Sequence, residues 1–335
     1  MRLASVAIAG TDHVVVAVPD QDRVVTLADL YAKAGLGDAP ATVKTLLKAG
    51  ADEWAKVRQA YQGIADAPSV SLDELTWLPP VPDTGKILCA AMNNSLLTRG
   101  AHVEAAAPMF FLKPPSAMVG HGDNIEIIPD DYGFTFPELE VGVIIGRKAK
   151  NISEDEALDH VAGYTIVNDI TSQGLKRGDS IAVDVSRQQA DSPGYSEYFA
   201  WRRVNGPDDL AVYLTYHTRS KGTDTFGPMG PWLTTADEIS NPDALAVRGY
   251  ADGEVFAEDS TSAYSFTVAK LISWASRYFT LEPGDIILTG TAAKGNEKFP
   301  RGHHEIDMSR MTPTIDIEIE GLGTLTNKVT HITRA

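Results

Sequence analysis

The hydrophobic pattern changes near residue 86, and beyond that point it predicts mainly β-strands. Short apolar runs bounded by turn residues are typical of strands, and seven occur at 87–90, 109–112, 125–128, 138–145, 212–217, 286–289 and 314–319. Two helices are predicted among them. The first covers 153–163, opens with the capping box Ser153 to Glu156 and stops at Gly163. The second covers 265–278 and has one apolar face.

The first 80 residues predict a small α+β domain of their own. Strand-like runs at 14–18 and 24–27 are followed by Ala-, Leu- and Lys-rich helical stretches at 40–47 and 53–61. Prolines at 79, 80 and 82 then exclude both helix and strand. We therefore predict domains over 1–80 and 86–335. The fold class is α+β and mostly β, with a roll or sandwich rather than a βαβ series.

Composition narrows the classes of function. The formal charge of −16, from 29 Lys and Arg against 45 Asp and Glu, argues against nucleic-acid binding. A single cysteine, Cys89, cannot form an internal disulfide, which favours a reducing, cytoplasmic location. The first ten residues are too short an apolar segment for a signal peptide, and no run reaches the ~20 apolar residues of a membrane helix.

Two carboxylates open the apolar strand at 138–145. Glu138 and Glu140 project from the same face because successive strand side chains alternate. Two negative charges side by side on one strand face repel each other, and they lose hydration when buried. A bound cation would compensate both costs. The pair therefore indicates either a divalent metal site or a strand end that emerges into water.

A third acid, Asp169, ends the strand-like run at 163–171. By itself it is a turn residue or a cap. Together with Glu138 and Glu140 it would give three oxygen ligands, a set that suits Mg²⁺ or Mn²⁺. Spacing alone does not show that the three meet.

From residue 86 onward the sequence resembles the fumarylacetoacetate hydrolase family. The motifs occur in the family's order: FLKPPS at 111–116 with VG at 119–120, ELE at 138–140, AGYT at 162–165 with ND at 168–169, KGTDTFGPMGPW at 221–232, LEPGDIILTGT at 281–291 and IEGLG at 319–323. The resemblance implies a mixed β-roll, usually a homodimer, that acts on small β-diketo or 2-keto acids. It also implies metal ligation by Glu138, Glu140 and Asp169, with Lys221 beside the metal and substrate.

Three further residues are candidate substrate contacts. Lys113 either contacts substrate or forms a structural ion pair. Thr291 either hydrogen-bonds a substrate carboxylate or is a plain turn residue. Gln173 stands where the family usually has an arginine, and its neutrality weakens the case for a dianionic substrate.

The sequence departs from the family pattern in the lid and in length. Leu97 and Gly100 replace the histidine and glutamate that activate water in the family's hydrolases. His102 and Glu104 are candidate catalytic replacements if the lid is shifted, and His303 and His304 are further candidates. A longer segment around 178–210 carries Tyr195, Tyr198, Phe199, Trp201, Arg202 and Arg203. It either walls the pocket or packs a subunit interface.

We predict first a metal-dependent hydrolase that cleaves a carbon–carbon bond of an acylpyruvate-like or fumarylacetoacetate-like acid in catabolism. The alternatives are a lyase, meaning a hydratase or decarboxylase, or a tautomerase. These reactions ask chiefly for a metal-held enolate and a proton donor. A metal-binding protein without turnover is the third possibility.

Overall fold

A computed structural model describes residues 1–99, 101, 105–185 and 200–334. The fold class is confirmed as α+β and mostly β. The strands are β1 Arg2–Ile8, β2 Thr11–Ala17, β3 Arg23–Thr26, β4 Val70–Ser71, β5 Thr76–Trp77, β6 Ile87–Ala91, β7 Met109–Lys113, β8 Met118–Val119, β9 Asn124–Ile127, β10 Thr135–Phe136, β11 Leu139–Ile145, β12 Val161–Asn168, β13 Thr171–Ser172, β14 Ser180–Asp184, β15 Ala211–Thr215, β16 Gly227–Thr235, β17 Ala246–Ala251, β18 Glu254–Ser260, β19 Ile286–Ala292, β20 Thr314–Ile319 and β21 Gly323–His331.

Short α-helices lie around these strands. Their bounds are α1 Leu27–Ala34, α2 Val43–Ala49, α3 Ala51–Tyr61, α4 Ser95–Thr98, α5 Pro129–Tyr132, α6 Glu154–Ala157, α7 Gln173–Gly178, α8 Thr218–Gly222 and α9 Val268–Tyr278. Within the described ranges, no helix has the length and apolar character needed to cross a membrane.

One large sheet runs through both halves of the described chain. Its strand order is β4-β3-β2-β1-β16-β12-β11-β19-β6-β7, with β5 and β8 attached at β1 and β16. The antiparallel pairing of β1 with β16 joins the N-terminal strands to the sheet of the second half. A second sheet, β18-β17-β20-β21-β9, packs over it. The division at residues 80–86 remains a prediction.

The central strands are buried on both faces, which explains their almost continuous apolar sequence. Side chains of β11 on one face, such as Val141 and Val143, belong to the same buried cluster as Ile317 of the second sheet. Ile144, on the other face, belongs to the cluster that includes Leu46 of the N-terminal helices. The three layers are therefore helices, large sheet and small sheet.

The helix predicted over 153–163 is much shorter than expected, and the role assigned to Gly163 was wrong. The capping box at Ser153 forms, but α6 ends at Ala157 and Val161 already begins β12. That strand hydrogen-bonds β11 on one side and β16 on the other, which outweighs another helical turn. Gly163 is needed for close strand approach, because a Cβ there would lie 2.2 Å from the Thr234 carbonyl oxygen.

The longer segment around 178–210 includes β14, which pairs antiparallel with β15 just beyond it. The two strands expose apolar side chains, among them Ile181 and Tyr213, and Trp201 nearby is also exposed. Tyr195, Tyr198 and Phe199 lie outside the described residues. A role of this segment in an interface remains a prediction.

Candidate active site

Pairing of two strand ends brings the three predicted acids together. Glu138 immediately precedes β11, Glu140 lies within it, and Asp169 follows the end of β12. Asn168 pairs with Leu139, and the Asp169 backbone N–H donates to the Glu138 carbonyl at 2.9 Å. One carboxylate oxygen from each acid lies within 4.8 Å of the others. The local strand register therefore builds the cluster.

Two lysines contact the same acids. Lys221 Nζ lies 2.7 Å from Asp169 Oδ2 and 3.0 Å from Glu138 Oε2. Lys113 Nζ lies 2.9 Å from Asp169 Oδ1. Lys113 also donates to the carbonyls of Phe226, at 2.8 Å, and Lys221. Because the Lys113 side chain is completely buried behind Asp169, its geometry favours the structural ion pair over a substrate contact.

Burial and charge set the protonation of the cluster. Burial, then the charges of Asp169 and Glu138, raise the pKa of Glu140 well above its ordinary value. Burial opposes ionisation of Asp169, yet Lys113 and Lys221 hold its pKa below the ordinary value. Burial likewise opposes the charge of Lys221, but Asp169 and Glu138 raise its pKa. Asp169 is thus ionised, whereas Glu140 forms no ion pair with Lys113 or Lys221.

The residues present fit a divalent cation. All three candidate ligands are hard carboxylate oxygens, the donors that Mg²⁺ and Mn²⁺ prefer. Three acids against two lysines leave an excess of negative charge in a buried place. Burial, and after it this excess, raise the pKa of Glu140, and a bound cation would favour its ionised form.

The acids line a cavity of about 560 Å³. Glu140 and Asp169 are almost completely buried, whereas Met92 and Met109 are half exposed, so the acids mark its closed end. Apolar side chains form much of its wall: Ala90, Ala91, Met92, Leu97, Met109, Phe110, Phe111 and Phe136. Polar lining comes from Asn93, Thr171, Gln173, Lys176, His217, Lys221, Thr291, His303 and His304. The cavity is thus charged at one end and largely apolar elsewhere, the usual character of a small-molecule site.

Two predicted substrate contacts line this cavity. Thr291 Oγ1 accepts from the Leu139 N–H at 3.0 Å and donates to the Ala292 carbonyl at 3.1 Å, so it also fixes the strand that carries the acids. Gln173 is the first residue of α7 and faces the cavity. Their contact with a substrate remains a prediction.

Residues that bear directly on the cluster were missed in the sequence. Thr171 Oγ1 donates to Glu138 Oε1 at 2.6 Å and so orients that carboxylate. His217 lies against Phe111, with ring centroids 6.2 Å apart. A threonine two positions after Asp169 was the only local signal for the first, and the sequence around His217 carries none.

Two buried asparagines anchor the start of the segment that corresponds to the family's lid. Asn93 Nδ2 donates to the Thr289 carbonyl at 2.7 Å, and Asn94 Oδ1 caps α4 by accepting from the Leu96 N–H at 2.9 Å. Leu97 then lines the cavity. Gly100, His102 and Glu104 lie outside the described residues, so the proposed catalytic replacement there remains a prediction.

His303 and His304 lie in a short 3-10 helix after β19, Gly302–Glu305, and both line the cavity. The His303 ring is 1% exposed, and its Nδ1 has no hydrogen-bond partner among the described residues. Burial, with smaller effects of His304 and Lys221, lowers the pKa of His303 to about 3. Burial also lowers the pKa of His304. Both imidazoles are neutral at physiological pH.

Comparison with known proteins gives consistent matches. The model of the fumarylacetoacetate (FAA) hydrolase C-terminal domain matches residues 86–330. The mitochondrial oxaloacetate tautomerase FAHD2A of Bos taurus is 31% identical over 87% of this chain and 80% of its own. The 2,4-didehydro-3-deoxy-L-rhamnonate hydrolase of a Sphingomonas species is 30% identical over 89% of this chain and 92% of its own.

A solved structure shares the fold. Maleylpyruvate hydrolase from Sphingobium sp. SYK-6, in complex with a manganese ion and pyruvate, matches with a TM-score of 0.68 and 23% identity. The match covers 99% of this chain and 100% of that one.

Proposed function

The chain belongs to the fumarylacetoacetate hydrolase family, and from that premise we propose that it is a divalent-metal-dependent hydrolase that cleaves a carbon–carbon bond of an acylpyruvate-like β-diketo acid. The observation that carries the proposal is the convergence of Glu138, Glu140, Asp169 and Lys221 at the closed end of the cavity. The Sphingobium hydrolase, with its manganese ion and pyruvate, supports both the metal and the keto-acid end of the substrate.

The three acids would hold Mg²⁺ or Mn²⁺. When bound, that ion would act as a Lewis acid toward the oxygens of a 2-keto acid, a contribution of several kcal/mol. Lys113 keeps Asp169 fixed and ionised, and Thr171 orients Glu138. The Lys221 ammonium lies beside the same acids, where it would stabilise negative charge that develops on the substrate.

Hydrolysis balances as a simple exchange of bonds. The oxygen of water bonds to the acyl carbonyl carbon, and the bond from that carbon to the pyruvate methylene breaks. The electron pair of the broken bond becomes the enolate of pyruvate, which takes up a proton. The products are pyruvate and a second carboxylic acid, so the reaction requires a base for water as well as a group that stabilises the enolate.

Leu97 favours a second candidate function, keto–enol tautomerisation of a 2-keto acid. A leucine faces the cavity where hydrolases of the family place a base, and it cannot accept a proton from water. Tautomerisation moves only a proton of the substrate. The bovine tautomerase supports this alternative, whereas the Sphingomonas hydrolase supports the first. A lyase reaction at the same site is a further alternative.

One panel of assays separates these functions. Purified protein with Mg²⁺ or Mn²⁺ is given acylpyruvates, oxaloacetate and 2-hydroxydienoates, and the enol absorbance and product masses are followed. Two acid fragments support hydrolysis. Carbon dioxide or added water indicates a lyase, and loss of enol at constant mass indicates a tautomerase. If no substrate is converted while the metal raises the melting temperature, the protein binds metal without turnover.

We also propose that the protein forms a homodimer and that it is located in the cytoplasm. Light scattering coupled to size-exclusion chromatography measures the mass of the assembly. A monomeric mass would reject the dimer.

A further inference from the structure

We propose that His304 is the proton-carrying base of this site and that His303 and Phe136 position its ring. The inference rests on the proposed function, and it deepens that function by naming the group that replaces the lid dyad. It would serve either candidate reaction, since a base takes a proton from water in hydrolysis and from the substrate carbon in tautomerisation.

The first support is the position of the ring. His304 lines the same cavity as Glu138, Glu140 and Asp169, although it lies far from them in sequence. His304 is half-buried and its side chain lines the cavity. A neutral imidazole in this position can accept a proton and later return it.

The second support is the way the ring is held. Phe136 meets His304 edge to face at 4.6 Å between centroids, and the His303 ring lies 4.1 Å away. Phe136 also contacts His303 at 5.5 Å. Three mutually packed rings restrict the orientation of His304, which is the condition for efficient proton transfer from a bound substrate.

The third support comes from the unpartnered nitrogen of His303. A buried polar atom without a hydrogen bond costs free energy, so such atoms in native proteins usually serve a purpose. His303 Nδ1 is such an atom among the described residues, and it lies within the short 3-10 helix that lines the cavity. A substrate or water bound beside His304 would supply the missing partner.

Other described residues are less suitable as the base. Glu138, Glu140 and Asp169 would be occupied by the metal, and Lys221 is held as a cation by two of them. His217 also lines the cavity, and burial, then nearby Lys176 and Lys221, lower its pKa. His304 is held more closely, with ring centroids 4.6 and 4.1 Å away against 6.2 Å between His217 and Phe111. Among the residues that the structure describes, His304 is therefore the best-placed base.

The test uses a partial reaction that does not depend on the natural substrate. Wild-type protein loaded with Mn²⁺ or Mg²⁺ is incubated with pyruvate in deuterated water, and exchange of the methyl protons is followed by mass spectrometry. In this reaction a C–H bond breaks, the proton goes to the base, the electron pair forms the enolate, and a deuteron returns to carbon. We expect His304→Ala to lower the exchange rate by about 10²–10⁴-fold.

Binding and rescue distinguish a catalytic role from a structural one. Pyruvate affinity of metal-loaded His304→Ala, measured by calorimetry, should stay within about threefold of wild type, because binding and proton transfer are separate contributions. Added imidazole should restore part of the lost rate. His303→Leu should lower the rate more than His303→Asn, which keeps a hydrogen-bonding group. His13→Ala, in the N-terminal strand β2, is the control.

The outcomes separate the two proposals. If wild type exchanges protons but cleaves no acylpyruvate, hydrolysis is rejected and His304 is still tested. If His304→Ala exchanges protons at the wild-type rate, or if His217→Ala alone abolishes exchange, the assignment of His304 is wrong. If wild type binds pyruvate without any exchange, a base at this site is rejected altogether.

Discussion

The two ends of the cavity differ in how firmly their side chains are held. At the charged end, Glu140 and Asp169 are each 1% exposed, and Lys113 fixes Asp169 from behind. At the mouth, Met92 is 50% and Met109 is 49% exposed, and neither is enclosed by packing. The charged end is therefore preorganised for one kind of chemistry, whereas the mouth can adapt to the size and shape of the substrate.

The largest effect should come from removing an acid at the fixed end. Glu140→Ala should abolish turnover together with the metal-dependent rise in melting temperature, because a ligand that binds only the folded state stabilises it, by about 2.7 kcal/mol at a hundredfold excess over Kd. Thermal unfolding with and without Mn²⁺ measures the effect. Glu297→Ala, an exposed acid, is the control. A metal response that survives in Glu140→Ala would remove this residue from the ligand set.

The next effect concerns the lysine behind the acids. Lys113→Met should destabilise the metal-free protein by about 3–5 kcal/mol, because removing one partner of a buried ion pair leaves the other charge uncompensated. Urea unfolding gives the free energy. Lys148→Met breaks an exposed pair with Glu282 and should cost no more than about 1 kcal/mol. If the two variants lose equal free energy of unfolding, the buried ion pair contributes no more to stability than the exposed one.

A change at the mouth should alter selectivity without disturbing the charged end. Met109→Ala should lower kcat/KM for an acylpyruvate with a long apolar tail by about 10-fold, since small changes in apolar contact discriminate on that scale. Pyruvate binding should be unchanged. Leu112→Ala lies on the same strand but outside the cavity lining, and it serves as the matched control. Equal behaviour of Met109→Ala and Leu112→Ala would reject a contact between Met109 and the substrate.

The smallest effect is a pH dependence of the metal-free protein. The pKa of Glu140 in the folded protein lies above its ordinary value of 4.5. The folded state therefore binds the proton more tightly than the unfolded state. The resulting stabilisation is complete below pH 4.5 and is lost as pH rises through the folded pKa. As pH rises above about 4.5, the melting temperature of wild type should therefore fall relative to that of Glu140→Gln. Parallel curves for the two proteins would contradict a raised pKa.

Local pattern was enough to predict about half of the longer strands and the shared face of two acids, but it missed β1, β16, β17, β18 and β21. The alternation at 314–319 matches β20, and the apolar run after Glu138 matches β11. Period and burial are properties of neighbouring residues, so they can be read without the fold. Motif order also identified the family correctly, since it needs no geometry.

Long-range geometry could not be predicted in the same way. Gly163 was interpreted as a helix stop because its actual role depends on a strand that follows it by about seventy residues. Nothing in the sequence around Gly163 shows which distant strand packs against it. The convergence of Asp169 with Glu138 required the register of β11 and β12. The sequence offered His304 only as a further candidate, because nothing in the residues around it shows that Phe136 packs against it.

The pairing of β1 with β16 has a practical consequence for anyone who trims the protein. Deleting the first 80 residues would leave a stretch of β16, including Leu233 and Thr234, without the neighbour that covers its backbone groups. Such a bare edge invites association with other chains. The excised fragment 86–335 should therefore aggregate even with all three acids intact. A lack of activity in that fragment would not be evidence against catalysis by the full chain.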